Sequence, residues 1–174
     1  TGNLVDKVTL WYQEVFQRLT QPYEAFQADK LWDQLLHHRF IMTFETEAFT
    51  LDKLEKRVSE LITQDIFKPV QIMIDGFSLR NEDVARLQAL RTFAMQNQLV
   101  FWFTVRTHRE EPMEPSGIPS SFIPFAELFS LLLQLHPEQS RIYLKRLSQT
   151  DTPEENDAEL YLDPATMLVT DKPV

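Results

Sequence analysis

Cysteine is absent from the 174 residues, which excludes a disulfide framework and any thiolate zinc site and makes a reducing compartment, the cytoplasm, the expected location. No apolar run approaches the roughly 20 residues needed to span a bilayer, so no membrane partner is expected. Positive charge is in short supply, with 17 Lys and Arg against 26 Asp and Glu and a formal net charge of -9. Binding to a phosphate backbone by bulk electrostatics needs clustered cations that displace counterions, so nucleic acid is a disfavoured partner for this domain alone. Glycine is limited to Gly2, Gly76 and Gly117, and no G-x-S-x-G elbow is present, which leaves a serine hydrolase without support. His37, His38, His108 and His136 make no i, i+4 pairing with carboxylates of the kind a helical metal site uses, so surface or packing roles are their default. The chain opens on Thr1 without a charged segment leading into an apolar one, so no secretory signal is read and a fragment of a longer protein is expected.

What is present is a globular composition, 43% hydrophobic and 11% aromatic, at a length suited to one compact domain over residues 1–174. Leu4, Val8, Trp11, Val15 and Leu19 recur at helical spacing and predict a helix ending before Gln21-Pro22. A short helix is expected around Leu31 to Leu36, and a strand over Phe40 to Phe44. Thr50 is placed to cap a helix carrying Leu51, Leu54, Val58 and Leu61 on one face. Val70 to Gly76 reads as a buried strand ending at Asp75-Gly76. A helix opening at Asn81 follows, with Val84, Leu87, Leu90 and Phe93 as its apolar face, and Leu99 to Val105 is the next buried strand. Strands alternating with helices predict right-handed crossovers and a mainly parallel sheet. After a loop from Pro112 to Pro124, read as a lid, a subunit contact or plain surface, come short runs at Leu131 to Leu135, Arg141 to Leu147, Leu160 to Leu162 and Met167 to Val169. Separated by His136 to Ser140 and by an acidic loop from Asp151 to Glu159, they predict an antiparallel meander at the sheet edge.

This order, with the motifs Phe40 to Glu47, Ile72-Met73-Ile74-Asp75, Phe101 to Thr104 and Arg141 to Arg146, resembles the RecA-like P-loop NTPase fold, and within it the KaiC and RadA branch. The resemblance implies ATP and Mg²⁺ as cofactors and assembly as a homo-oligomer or with related ATPase subunits. It implies roles as well. Glu45, with Glu47 beside it, would orient and deprotonate the attacking water; Asp75 would hold Mg²⁺ through water, as a hard and strongly hydrated ion prefers; Thr104 would sense the terminal phosphate. Lys145 and Arg146 would reach the nucleotide of a neighbouring subunit, where cations neutralise transition-state charge. Each has a plainer alternative: an Asp at a strand end also caps a loop, and basic residues on an edge strand also prevent edge pairing.

A phosphate-binding loop of the form G-x-x-x-x-G-K-S/T cradles phosphates with backbone N–H groups, neutralises them with Lys and ligates Mg²⁺ through the hydroxyl. Against it, Thr1 to Val8 keeps Lys7 but has Asp6 for the second glycine, Gly2 out of place for the first, and Val8 for the hydroxyl. Thr9, one residue late, points about 100° away on a helix. The strand that should precede the loop would lie upstream of Thr1. Three readings follow: a degenerate ATPase-like domain, regulatory or structural, with at most weak nucleotide binding; an active Mg²⁺-dependent ATPase; and a protein-interaction module using the sheet as scaffold.

Overall fold

The computed structural model is mixed α/β, with two small sheets, one parallel and one antiparallel. It describes residues 4–21, 25–45, 48–79, 82–108, 111–114, 117–138, 141–147, 160–163, 165–166 and 168–171. Helix α1 (Leu4–Thr20) stops where expected, and the Thr20 hydroxyl turns back to donate to the Phe16 carbonyl at 2.8 Å. Helix α2 (Ala25–His37) is longer than the sequence suggested. The two helices meet through the rings of Phe16 and Trp32, whose centroids are 5.1 Å apart. Arg39, just past α2, ties them again by lying 5.0 Å over the Tyr12 ring and donating to the Thr9 hydroxyl at 3.2 Å.

The segment from Phe40 to Phe44, predicted as a strand, is irregular and joins neither sheet. Its rings find partners without a ladder: Phe40 packs against Phe67 at 5.6 Å and Phe44 against Phe49 at 5.2 Å. The Glu45 carbonyl then accepts from the N–H groups of Ala48 and Phe49, which turns the chain away from an extended course and into α3 (Leu51–Thr63). Thr50 caps α3 as its sequence position suggests, its hydroxyl accepting from the Lys53 N–H at 3.2 Å. Leu51, Leu54 and Val58, at spacing that returns to one helix face, are buried.

Strands β1 (Gln71–Phe77) and β2 (Val100–Val105) pair in parallel through the crossover helix α4 (Val84–Gln96). Asp83 caps α4, its carboxylate accepting from the Arg86 N–H at 2.7 Å, so the helix opens later than the sequence implied; Asn81 lies outside the described residues. One face of the strand pair supplies Ile72, Ile74, Phe101, Phe103 and Val105 to a core closed by Leu51, Leu54, Val58, Leu87 and Leu90. Burying each such Leu or Val is worth about 1.5–3 kcal/mol, so this α3, α4 and β-strand layer carries most of the core. Its aromatic spine runs from Phe49 to Phe77, Phe103 and Phe129, with successive centroids 6.3, 4.9 and 5.7 Å apart.

The expected mainly parallel sheet is therefore a two-stranded one, because Phe40 to Phe44 does not join it. The loop after β2 is not an open one. Met113 bridges Pro119, Ile118 is fully buried, and the Glu111 carboxylate accepts from the Ser121 N–H at 3.0 Å before a 3-10 helix (Ser120–Leu128) that buries Phe125 and Ala126. The tail forms the expected antiparallel meander, but as a separate sheet in the order β3 (Leu132–Glu138), β4 (Arg141–Leu147), β5 (Leu160–Leu162), β6 (Val169–Thr170). Strand β3 continues through His136-Pro137, which the sequence placed in a connection. As the edge strand it tolerates proline, which cannot donate to a ladder. The acidic stretch Asp151 to Glu159 lies outside the described residues.

Candidate functional site

Asp75 and Thr104 meet at the carboxyl ends of the two parallel strands, where open α/β sheets commonly place their ligands. The register runs evenly from Gln71 opposite Val100 to Ile74 opposite Phe103, then slips, and Phe77 faces Val105. Asp75 and Gly76 thus stand against the single residue Thr104, which is a β-bulge. Gly76 takes φ +71, a left-handed conformation costly for any residue with a Cβ, and this permits the slip. The Thr104 hydroxyl stitches the bulge together: it donates to Asp75 Oδ1 at 2.5 Å and accepts from the Gly76 N–H at 2.9 Å. The result is an exposed carboxylate held in one orientation by a hydroxyl whose own orientation is fixed by a backbone donor.

The other sequence-predicted residues are not gathered around this pair by any strand pairing. Glu45 is exposed at the turn before α3, and Glu47 lies outside the described residues. Lys7 is exposed in the first turn of α1, the helix packed on α2. Lys145 and Arg146 lie on β4 in the antiparallel sheet. The Lys145 ammonium sits 5.7 Å over the Tyr143 ring, a cation–π placement, and Arg146 lines a cavity of about 220 Å³ with Glu127, Phe129 and Ser130.

Sequence reasoning missed the surface that flanks Asp75. Met73 and Trp102 are register partners, and with Val100 they are exposed on the same side of the strands as Asp75 and Thr104. Both strands were read as buried on two faces because their apolar runs are nearly continuous; only the inner face is covered. A second feature missed is the carboxylate group at the start of α3 and α4. Burial raises Glu82 above the ordinary glutamate value; Arg86 opposes the rise, and Asp83 and Asp52 add to it. Burial also raises Glu55, helped by Asp52. Arg86 pairs with Asp52 at 2.7 Å, while Glu82 Oε2 is buried without a hydrogen-bond partner among the described residues.

Comparison of the chain with protein-family models, with curated proteins and with solved structures finds no match in any of the three. The chemistry of the site itself can be set against the cofactors the resemblance implies. A hydrated Mg²⁺ fits Asp75: Thr104 occupies one carboxylate oxygen, and Oδ2, which takes no hydrogen bond among the described residues, would accept a metal-bound water. A triphosphate does not fit the start of α1. Asp6 places negative charge in the first turn, where phosphate would have to sit, and Val8 offers no hydroxyl.

Proposed function

We propose that the chain is a degenerate RecA/KaiC-like ATPase domain, regulatory or structural in role, that binds Mg²⁺-nucleotide weakly at most. The observation that supports this reading is the Asp75, Gly76 and Thr104 bulge, a fixed carboxylate and hydroxyl at the ends of adjacent parallel strands, in a chain whose first helix opens with Asp6 and Val8 where a phosphate loop needs glycine and a hydroxyl. The described residues hold no triphosphate cradle that would position a hydrolytic step.

The test is titration of a fluorescent ATP analogue, with and without Mg²⁺, on the wild-type chain and on Asp75→Ala. Weak Mg²⁺-dependent binding that the substitution abolishes is the expected result. Absence of binding at millimolar ligand would sink the nucleotide reading. It would leave the interaction module, which the exposed apolar residues Met73, Val100 and Trp102 favour independently.

A further inference from the structure

Of the apolar surfaces left uncovered among the described residues, two match each other. The first is the outer face of β1 and β2, where Met73 is 59%, Val100 53% and Trp102 41% exposed, with Asp75 at the carboxyl end of the same face. The second is a stripe on α1, where Leu10 is 60% and Trp11 52% exposed, and Lys7 lies one turn before them on the same side. A parallel strand pair with one bare apolar face is unusual, since such sheets are normally covered on both sides by helices running antiparallel to the strands.

Spacing and charge both suit that arrangement. Along β1, Asp75 lies about 6.6 Å beyond Met73 at a rise of roughly 3.3 Å per residue. Along α1, Lys7 lies about 4.5–6 Å before Leu10 and Trp11 at a rise of about 1.5 Å per residue. A helix laid antiparallel over the strands would put Leu10 and Trp11 on Met73 and Trp102 and bring the Lys7 ammonium to the Asp75 carboxylate.

The chain's own α1 is held elsewhere. It packs on α2 through Phe16 and Trp32, Thr9 accepts from Arg39, and the Arg18 guanidinium donates to the Thr166 carbonyl at 2.9 Å. We infer that the open face of β1 and β2 is the docking site for α1 of a second copy of this chain. The two surfaces are unlike, so mutual exchange of helices gives a closed, isologous two-fold pair, whereas one-way docking is heterologous and extends head to tail. One helix stripe on two strands is small beside the ~1,600 Å² of a standard interface, so the association expected is a weak, concentration-dependent one.

The experiment needs no nucleotide and does not depend on the ATPase reading. Sedimentation velocity over a concentration series on the full chain should show mass rising above 20.5 kDa. Trp11→Glu and Trp102→Glu should each abolish the rise, and an equal mixture of the two should restore association, because each retains the surface the other has lost. A chain that stays monomeric throughout, or a mixture no more associated than its components, overturns the inference. Should either variant fail to fold, the cysteine-free sequence permits a second measurement. Leu10→Cys and Met73→Cys, prepared separately and mixed under mild oxidation, should give the mixed disulfide well above its statistical share. A purely statistical distribution refutes the docking.

Discussion

Replacing Thr104 with Val keeps the β-branched shape and removes the hydroxyl that donates to Asp75 and accepts from Gly76. A hydrogen bond to a charged group is worth about 1.5–3 kcal/mol net when sheltered, and a neutral one about 1. Here all three groups are exposed, so water replaces much of what is lost and the two bonds together should amount to about 1 kcal/mol. Valine returns a few tenths of that through its strand preference. The net destabilisation expected is about 0.5–1 kcal/mol, which for a chain of this size is about 1–4 °C in Tm. Urea unfolding followed by tryptophan fluorescence would measure it as a lower midpoint at unchanged slope. The decisive quantity is the coupling with Asp75→Ala in a double-mutant cycle, expected at about 0.5–1 kcal/mol. A coupling below about 0.3 kcal/mol would mean that the two side chains do not hold each other, and the site would lose its defining contact.

Leu51→Ala opens a cavity in the layer between α3 and the aromatic spine and should cost about 2–5 kcal/mol by the same urea assay; a loss under about 1 kcal/mol would contradict the core described here. Asp83→Ala removes the α4 cap and should cost about 1 kcal/mol, whereas an effect no larger than that of an ordinary surface substitution would place the start of the helix elsewhere. Glu82 has a native-state pKa raised chiefly by burial, so the native state binds its proton more tightly than the unfolded chain does. That stabilisation is present in acid, and native stability falls as pH rises through the raised value. Glu82→Gln should therefore raise Tm at pH 7 by a few degrees at most, and the advantage should vanish near pH 4; a gap independent of pH would show that ionisation is not the cause.

The legible parts of the fold were those in which a local rule sufficed. Thr50 caps α3 because a hydroxyl one residue before an apolar-periodic run has an orphan N–H within reach, and Leu51, Leu54 and Val58 then fall on one face. The tail hairpins were legible from short apolar runs between turn signals, although β3 ran on through Pro137 because only an edge strand's outer side lacked the donor. Phe40 to Phe44 was not legible. A short apolar run states a demand for burial without stating who supplies it, and here Phe67 and Phe49 supply it with side chains instead of a neighbouring strand.

The same limit explains the site. Asp75 was marked by its place after Ile72-Met73-Ile74, and Thr104 by its place at the end of the next strand, but nothing in either segment announces that they touch. The bulge supplies the third partner, because in an even register the residue opposite Thr104 would be Asp75 alone and the Gly76 N–H would fall in step with Val105. One glycine able to take φ +71 shifts the strand by a residue and brings its N–H onto the Thr104 oxygen, which leaves that hydroxyl's proton for Asp75. The exposed Met73 and Trp102 were hidden for the complementary reason: whether the second face of a parallel strand pair is covered depends on helices supplied from elsewhere, and the hydrophobicity of the strand is the same in either case. Asp75 therefore stands at the edge of a face whose apolar residues call for a cover, and the chemistry of the carboxylate cannot be separated from whatever lies across Met73 and Trp102.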